Sequence, residues 1–321
     1  MHARMVANLG ERRKCRRFRC CLSGIEPHAP SVACQAACGL QRLALATGTP
    51  YSTGRALSCP LSLAAPRPLT DRRAMKKAGH FGQAVVLSQQ AIGVQEASGV
   101  AHLGDQRFLV VDDENGIFSC TLDQEPTMLE AGQGLRDLEG VCLSPDGAHA
   151  YVLSERDGSL WRFSRAGEGL AEPERVGRLP RLSKKKNQGW EGIAITPAGL
   201  WSDHDELVAV HQTKPRCVAV LDLITLEPRV TATLPKKARK LLDDLNDVTV
   251  DPHHGHLLVL SGKAGVIGEL ALQDDELRLV RCYRIDHCRA DVPEGLCMDA
   301  DRRLWLVTDG SGWLREYALS P

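Results

Sequence analysis

The sequence predicts an all-β fold, a five-bladed β-propeller, and three observations carry that prediction. A short phrase recurs five times after residue 96. Each copy is followed by β-rich runs separated by turns. No stretch shows sustained helical periodicity, apart from a turn or two at 236–245. The copies begin at Ala97-Ser98-Gly99-Val100, Leu138-Glu139-Gly140-Val141, Trp190-Glu191-Gly192-Ile193, Leu245-Asn246-Asp247-Val248 and Pro293-Glu294-Gly295-Leu296. With Ser98, Glu139, Glu191, Asn246 and Glu294 equivalent, the steps are 41, 52, 55 and 48 residues. A unit of that length built from short strands is a propeller blade. A six-bladed ring is the alternative, if the two longest steps hide a degenerate sheet.

The second copy shows the plan of a blade. Gly140-Val141-Cys142-Leu143 is a short apolar strand, and Ser144-Pro145-Asp146-Gly147 is a turn. Ala148 to Leu153 form a second strand and Ser159 to Phe163 a third. Glu172 to Leu179 supply a fourth. The second strand returns in the other copies as Phe108-Leu109-Val110-Val111, Leu207-Val208-Ala209-Val210, Leu257-Leu258-Val259-Leu260 and Leu304-Trp305-Leu306-Val307. The last copy has only three strands before the chain ends. Gln83 to Ser88, β-rich and just ahead of the first copy, is the natural donor of the missing one. Closure removes exposed sheet edges that would recruit other chains, so a monomer is expected.

Composition divides the chain. Residues 1–74 hold 11 Arg, one Lys and three acids, a formal +9. The remainder carries 28 basic and 37 acidic residues, a formal −9. The first segment also holds Cys15, Cys20, Cys21, Cys34, Cys38 and Cys59. Three readings of it stand side by side. Arg-rich, acid-poor sequence fits a targeting segment, although no unbroken apolar stretch follows Arg16-Arg17-Phe18. A metal or disulfide module is another, but the spacings match no zinc pattern. The third is a disordered tail upstream of a native start at Met75-Lys76-Lys77. The propeller is expected to span residues 79–321, long enough for one large domain. Its cysteines, Cys120, Cys142, Cys217, Cys282, Cys288 and Cys297, lie mostly on strands and never in close pairs. That favours buried free thiols and a cytoplasmic setting, with export the alternative if the tail is a targeting segment. No segment approaches the ~20 apolar residues of a membrane span. The acidic body argues against nucleic acid as a partner.

Propeller geometry gives the repeated polar residue a common address. It precedes the innermost strand of its blade, so all copies meet at the channel mouth. Glu139, Glu191 and Glu294 would be brought close to one axis, with Asn246 as a neutral oxygen donor. Carboxylates so placed repel one another, and either protons or a cation must relieve them. Hard oxygen ligands in a roomy ring suit Ca²⁺, which takes about 6–8 oxygens. The competing account gives each acid a strand-capping or ion-pairing role. Around the ring, Ser98, Asp112, Glu155, Trp190, His211, Asp247 and Asp309 are expected at the mouth. His211 is the only candidate there for a base, and so the weak candidate for a catalytic residue. His253-His254-Gly255-His256 reads as a solvated turn away from the mouth. Asp112-Asp113-Glu114-Asn115-Gly116 lacks EF-hand spacing and reads as a hairpin turn. The runs Lys184-Lys185-Lys186 and Lys236-Lys237-Ala238-Arg239-Lys240 read as solvated loops that could attract an anion if they fold over the mouth. The tryptophans other than Trp190 read as packing between blades. No nucleophile elbow, zinc-hydrolase motif or P-loop is present.

Asp137-Leu138-Glu139-Gly140-Val141, Gly189-Trp190-Glu191-Gly192-Ile193, His256 to Ser261 and Pro293-Glu294-Gly295-Leu296 resemble the SdiA-regulated family of bacterial propellers, over about residues 90–319. Propellers with NHL-type repeats share the blade pattern. The resemblance implies a five-bladed propeller with a bound calcium ion and no established activity. More distant relatives include metal-dependent lactonases and phytase-like enzymes. Ser98 stands where other members carry an acid. The resulting expectation is a calcium-binding propeller that takes a small molecule or a protein at its mouth. A Ca²⁺-dependent hydrolase of lactones, esters or phosphoesters is the alternative.

Overall fold

The computed structural model describes residues 81–129, 135–167, 169–183, 189–285 and 291–320. The basic segment 1–74 with its cysteines, Lys184 to Lys186 and Cys288 lie outside the described residues. The described chain opens with β1 (Phe81–Ala91). The first repeat follows as β2 (Ala97–Gly104), β3 (Arg107–Asp112), β4 (Gly116–Thr121) and β5 (Gln124–Met128). The second gives β6 (Leu138–Leu143), β7 (His149–Ser154), β8 (Ser159–Ala166), the two-residue β9 (Gly169–Leu170) and β10 (Glu174–Arg178). Next come β11 (Trp190–Thr196), β12 (Glu206–His211), β13 (Cys217–Asp222) and β14 (Pro228–Thr233). The fourth repeat is β15 (Asp247–Asp251), β16 (His256–Ser261), β17 (Val266–Gln273) and β18 (Glu276–Arg284). The last is β19 (Val292–Met298), β20 (Leu304–Asp309) and β21 (Trp313–Ser320). The helical turn expected at 236–245 is a 3₁₀ turn at Ala238–Lys240.

Strands within a repeat pair in sequence order as an antiparallel sheet. β1 completes the last one, pairing antiparallel with β21 from Gln83 opposite Ser320 to Ala91 opposite Trp313. It also pairs in parallel with β18 at Phe81, Gly82 and Gln83, which joins the last two sheets. Turn chemistry is local and legible. In the second repeat Gly147 takes φ +68° and its N–H bonds Ser144 O at 2.8 Å.

The second strand of each repeat is buried on both faces, as in Phe108 to Asp112 and Leu257 to Ser261. Its sequence is therefore a continuous apolar run, without the alternation of a half-exposed strand. The cause is that each sheet is sandwiched between two others. One apolar layer joins β2–β4 to β6–β8 around Leu109, Val141 and Phe163. The next joins the second and third repeats through Leu153, Ile193 and Leu221. The third and fourth meet at Val220, Leu257 and Leu270, and the fourth and fifth at Leu260, Leu306 and Tyr317. Phe108 and Trp305, with ring centroids 4.8 Å apart, join the last repeat to the first. The innermost strands touch in a closed cycle, β2 to β6 to β11 to β15 to β19 and back to β2. The fold is all-β and propeller-like. A small cavity of ≈ 170 Å³ lies among the inner strands, lined by Val100, Val141, Ile193, Thr249 and Leu296, one from each. Among the described residues no helix is long and apolar enough to cross a membrane. Cys120, Cys142, Cys217, Cys282 and Cys297 are free and buried.

Candidate functional site

The repeated polar residue is the extra residue of a β-bulge. Pairing between the two innermost strands slips between Ala97 and Gly99, Leu138 and Gly140, Trp190 and Ile193, and Pro293 and Gly295. Ser98, Glu139, Glu191 and Glu294 fall at the slips, so they have no partner across the ladder. A bulge frees a side chain from strand alternation and re-aims it. The glycine that follows has its own reason. A Cβ on Gly99 would lie 2.7 Å from Glu139 O, and one on Gly140 would lie 2.7 Å from Glu191 O. A Cβ on Gly295 would lie 2.8 Å from Gly99 Cα. Each glycine thus lets its strand press against the backbone of the next repeat, which closes the ring at the mouth. In the fourth repeat Asp247 stands in the glycine's place. It is 1% exposed, and its carboxylate accepts from Val248 N at 2.8 Å and Leu296 N at 2.6 Å. Burial raises its pKa well above the ordinary value, against the hydrogen bonds from Leu296, Val248 and Ile193.

The inner-ring acids sense one another. Burial and the charges of Asp113, Glu155, Glu294 and Asp137 push Glu139 up to about 9. Burial pushes Glu294 up to about 7, with Asp309 and Asp244 adding and Asn246 and Lys263 opposing. Glu191 is raised well above the usual range by burial and by Glu139, Glu155 and Glu294. Glu155 adds to the rise of Glu191 and is itself raised first by its burial. Among the described residues the ion pairs involve none of Glu139, Glu191 and Glu294. Lys263 Nζ instead lies 3.9 Å from Asp244.

Asn246 joins two repeats. Its Nδ2 donates to Glu294 Oε2 at 2.6 Å, and its Oδ1 accepts from Gly262 N at 2.8 Å. This is one of several hydrogen bonds that run around the mouth from repeat to repeat. Asp137 N reaches Asp113 O at 2.8 Å, Gly189 N reaches Glu155 Oε1 at 2.9 Å, and Leu245 N reaches Gln212 O at 3.1 Å. Gly310 N closes the circuit on Gln95 O at 2.8 Å.

The expected surrounding residues divide in two. Asp112 is 2% exposed and spends its oxygens on the backbone, accepting from Asn115 N at 2.8 Å, Glu114 N at 3.1 Å and Glu96 N at 3.3 Å. It shapes a hairpin turn, as its neighbourhood in the sequence suggests. Ser98 Oγ turns to Glu96 O at 3.2 Å. Asp309 is exposed, with its pKa raised by burial of its carboxyl and by the charges of Asp112 and Asp291. Glu155, Trp190 and His211 meet in a separate cleft of ≈ 790 Å³ beside the axis. Trp190 and His211 lie opposite each other in register, and their rings meet edge-on at 5.3 Å. Burial lowers the pKa of His211, and its Nδ1 faces Pro215 O at 2.8 Å.

Sequence reasoning missed Glu96, Asp137 and Asp244, and read Asp113 only within the Asp112–Gly116 turn. Glu96 is raised first by the charge of Glu114, and Asp113 by burial and then by Asp137. Glu96, Asp137 and Asp244 each stand two residues before the repeated polar residue, but Gly189 and Val292 fill that place in the other copies, so the recurrence is incomplete. The histidine turn is a paired surface feature, with His254 Nδ1 2.7 Å from Asp251 and His256 Nδ1 2.7 Å from Glu269. Lys236, Lys237, Arg239 and Lys240 are exposed. Trp201 bonds Gly255 O across two repeats at 3.2 Å, which is packing between sheets.

A family model described as SdiA-regulated matches residues 83–312. Among solved structures, glutaminyl cyclase of Myxococcus xanthus is similar with a TM-score of 0.57 at 12% identity, over 75% of this chain and 98% of that one. A PQQ-bound aldose sugar dehydrogenase from Streptomyces coelicolor is similar with a TM-score of 0.47 at 15% identity, over 74% and 98%. At such identities the first likeness speaks for the fold alone. No curated protein matches the sequence.

Proposed function

The chain belongs to the SdiA-regulated family, and from that premise we propose that it is a calcium-binding propeller that takes a small molecule or a protein partner at its mouth. One observation carries the reading: Glu139, Glu191 and Glu294 are half-buried or buried, burial raises the pKa of all three, Glu294 adds to the rise of Glu139 and both add to that of Glu191, and none is paired with a Lys or Arg among the described residues. Holding such charge in a low-dielectric ring is costly unless protons or a cation neutralise it. The donor chemistry fits a hard cation, since every candidate atom is an oxygen. Asn246 Oδ1 has given one lone pair to Gly262 and keeps a second. Among the described residues no three His, Cys, Asp or Glu side chains already stand around a common point at coordination spacing. Binding is therefore expected to draw the glutamates inward.

In this reading Glu139, Glu191, Asn246 and Glu294 hold the ion, which would neutralise the ring and polarise any carbonyl or phosphoryl oxygen that reached it. Asp247 supports the ring from below by tying three inner strands together. We also count five blades, because the inner strands touch in one closed cycle and each apolar layer is shared by two sheets.

A hydrolase is the second reading, and His211 favours it. Its Nδ1 points at a carbonyl, which can only accept, so the proton sits there and Nε2 keeps its lone pair. A neutral imidazole in a cleft beside the acidic ring is a candidate base. Thermal melts with EDTA and with added CaCl₂, together with elemental analysis of the purified protein, test the metal. A calcium-dependent rise in melting temperature is expected. An unchanged melt together with no bound metal would leave the ring as strand caps and shared protons.

A further inference from the structure

Closing the ring at the inner strands leaves five outermost strands, β5, β10, β14, β18 and β1. The outer edge of such a strand is a template for another chain unless it is short, charged, interrupted by proline or covered. Four of the five carry those devices. β5 has Glu125 and Pro126, and β10 has Glu174, Arg175 and Arg178. β14 has Pro228 and Arg229. β18 has Glu276, Arg278, Arg281 and Arg284, and β1 covers its last three residues. β1 differs. Its 11 residues, Phe81–Ala91, hold no charged side chain and no proline, and it is the longest of the five. On the side away from β21 it pairs with β18 at Phe81, Gly82 and Gln83, and from Ala84 to Ala91 with no strand among the described residues. In the middle of that open run Val85, Val86 and Leu87 are 48%, 42% and 52% exposed. Leu87 is the extra residue where pairing with β21 slips between Val86 and Ser88, so it escapes strand alternation. The bulge adds an exposed leucine to the edge where a charge would have guarded it. The other large apolar side chains exposed among the described residues, Met128, Ile224 and Val280, stand singly.

We propose that β1 is the contact of a two-fold dimer, its open edge pairing with the β1 edge of a second copy so that the last sheet of one ring continues into that of the other. A two-fold axis sets the same strand on both sides, which makes the pairing antiparallel. Charge selects this occupant. Residues 75–321 carry a formal −9, so two copies repel wherever their charged surfaces meet. β1 meets its twin without a charge on either side, and no like charges are brought opposite each other. A separate peptide chosen by its charges finds nothing on β1 to pair with. Closure at the inner strands, the ground for expecting a monomer, does not reach this outer edge. The contact needs neither a metal nor a ligand at the mouth.

The test is sedimentation velocity of the full chain over a series from micromolar to several hundred micromolar, in EDTA. High ionic strength screens any attraction of the basic segment 1–74 for the acidic remainder. A monomer–dimer equilibrium is expected. Val86→Lys sets ammonium groups against each other in the middle of the contact and should weaken dimerisation about tenfold or more. Leu87→Lys, at a residue outside the ladder with β21, should do the same and keeps the test decisive if Val86→Lys unsettles the sheet. Ile224→Lys changes an 85% exposed side chain ahead of β14 and should dimerise as the wild type does. Hydrogen exchange at the amides of residues 84–91 should slow as concentration rises. A chain that stays monomeric throughout the series would overturn the proposal. So would a dimer that survives both β1 variants, or one that Ile224→Lys weakens equally. Protection of 84–91 that is independent of concentration would assign the edge to a cover from the same chain, and would overturn it too. Because every measurement is made in EDTA, failure of the calcium reading would leave these outcomes unmoved.

Discussion

Glu139 and Glu294 give the mouth a pH dependence of definite sign. Their folded pKa values, about 9 and about 7, lie above the ordinary 4.5, so across that interval the folded state holds more protons than the unfolded one. In EDTA, stability should be fullest near pH 4.5 on this account and fall as pH rises through 7 and on toward 9. Glu139→Gln mimics the protonated acid and should flatten the upper part of that fall while blunting the response to calcium. Melts at pH 5, 7 and 9, with and without CaCl₂, measure both effects, and an unaltered slope in the variant would contradict the account. The glycines offer a steric test at the same scale. Gly140→Ala brings a methyl to 2.7 Å from Glu191 O and should cost about 1–3 kcal/mol in urea denaturation. Gly169→Ala meets nothing closer than 3.7 Å and should stay within about 0.5 kcal/mol of wild type. The acid-glycine pair was legible in the sequence because it repeats. The bulge that explains it was not, because pairing register is a property of two strands. The hairpin turn at Asp112 to Gly116 was legible, but its spacing alone could not say that the Asp112 oxygens face the backbone and not the mouth.

At the scale of strands and sheets, the junctions between repeats are held by small numbers of hydrogen bonds at the mouth and by apolar layers beneath. At the junction of the fourth and fifth repeats Asn246 works beside Asp247, which accepts from Leu296 N–H. Asn246→Ala leaves Gly262 N–H buried without its acceptor and Glu294 without its donor, and should cost about 1–3 kcal/mol. It should also raise the pKa of Glu294 further, because the hydrogen bond from Asn246 now lowers it. Titration of the carboxyl groups by NMR or by pH-dependent melts reads that shift, and an unmoved Glu294 would show that Asn246 is not its partner in solution. The order of strands within each repeat could be read from turns and apolar runs, since local chemistry sets them. The parallel pairing of β1 with β18 could not, because it follows from where ring closure leaves the edge of one sheet.

Across the whole molecule, β1 is the piece that makes a row of sheets into a ring. Gly82 sits where a Cβ would meet Tyr283 Cε1 at 2.7 Å and would press on the Ser320 carbonyl. Gly82→Val should therefore pry β1 from its neighbours, leave the edge of β21 open and lower cooperativity. Faster hydrogen exchange at the amides of Arg315 to Leu319 is the expected signature, and unchanged protection there would show that the ring tolerates the wedge. A calcium ion bound only by the closed ring should act on the entire fold, adding about 2.7 kcal/mol when its free concentration is 100 times its dissociation constant. The seam also has a mechanical meaning. Gln83 faces Ser320 at one end of the β1–β21 pair and Ala91 faces Trp313 at the other. Tension applied between Phe81 and Ser320 therefore loads that pair from its open end, peeling one rung after another as a zipper does. A ring that resists heat by closing on itself is, for that reason, the one most easily unwound by tugging on the ends that close it.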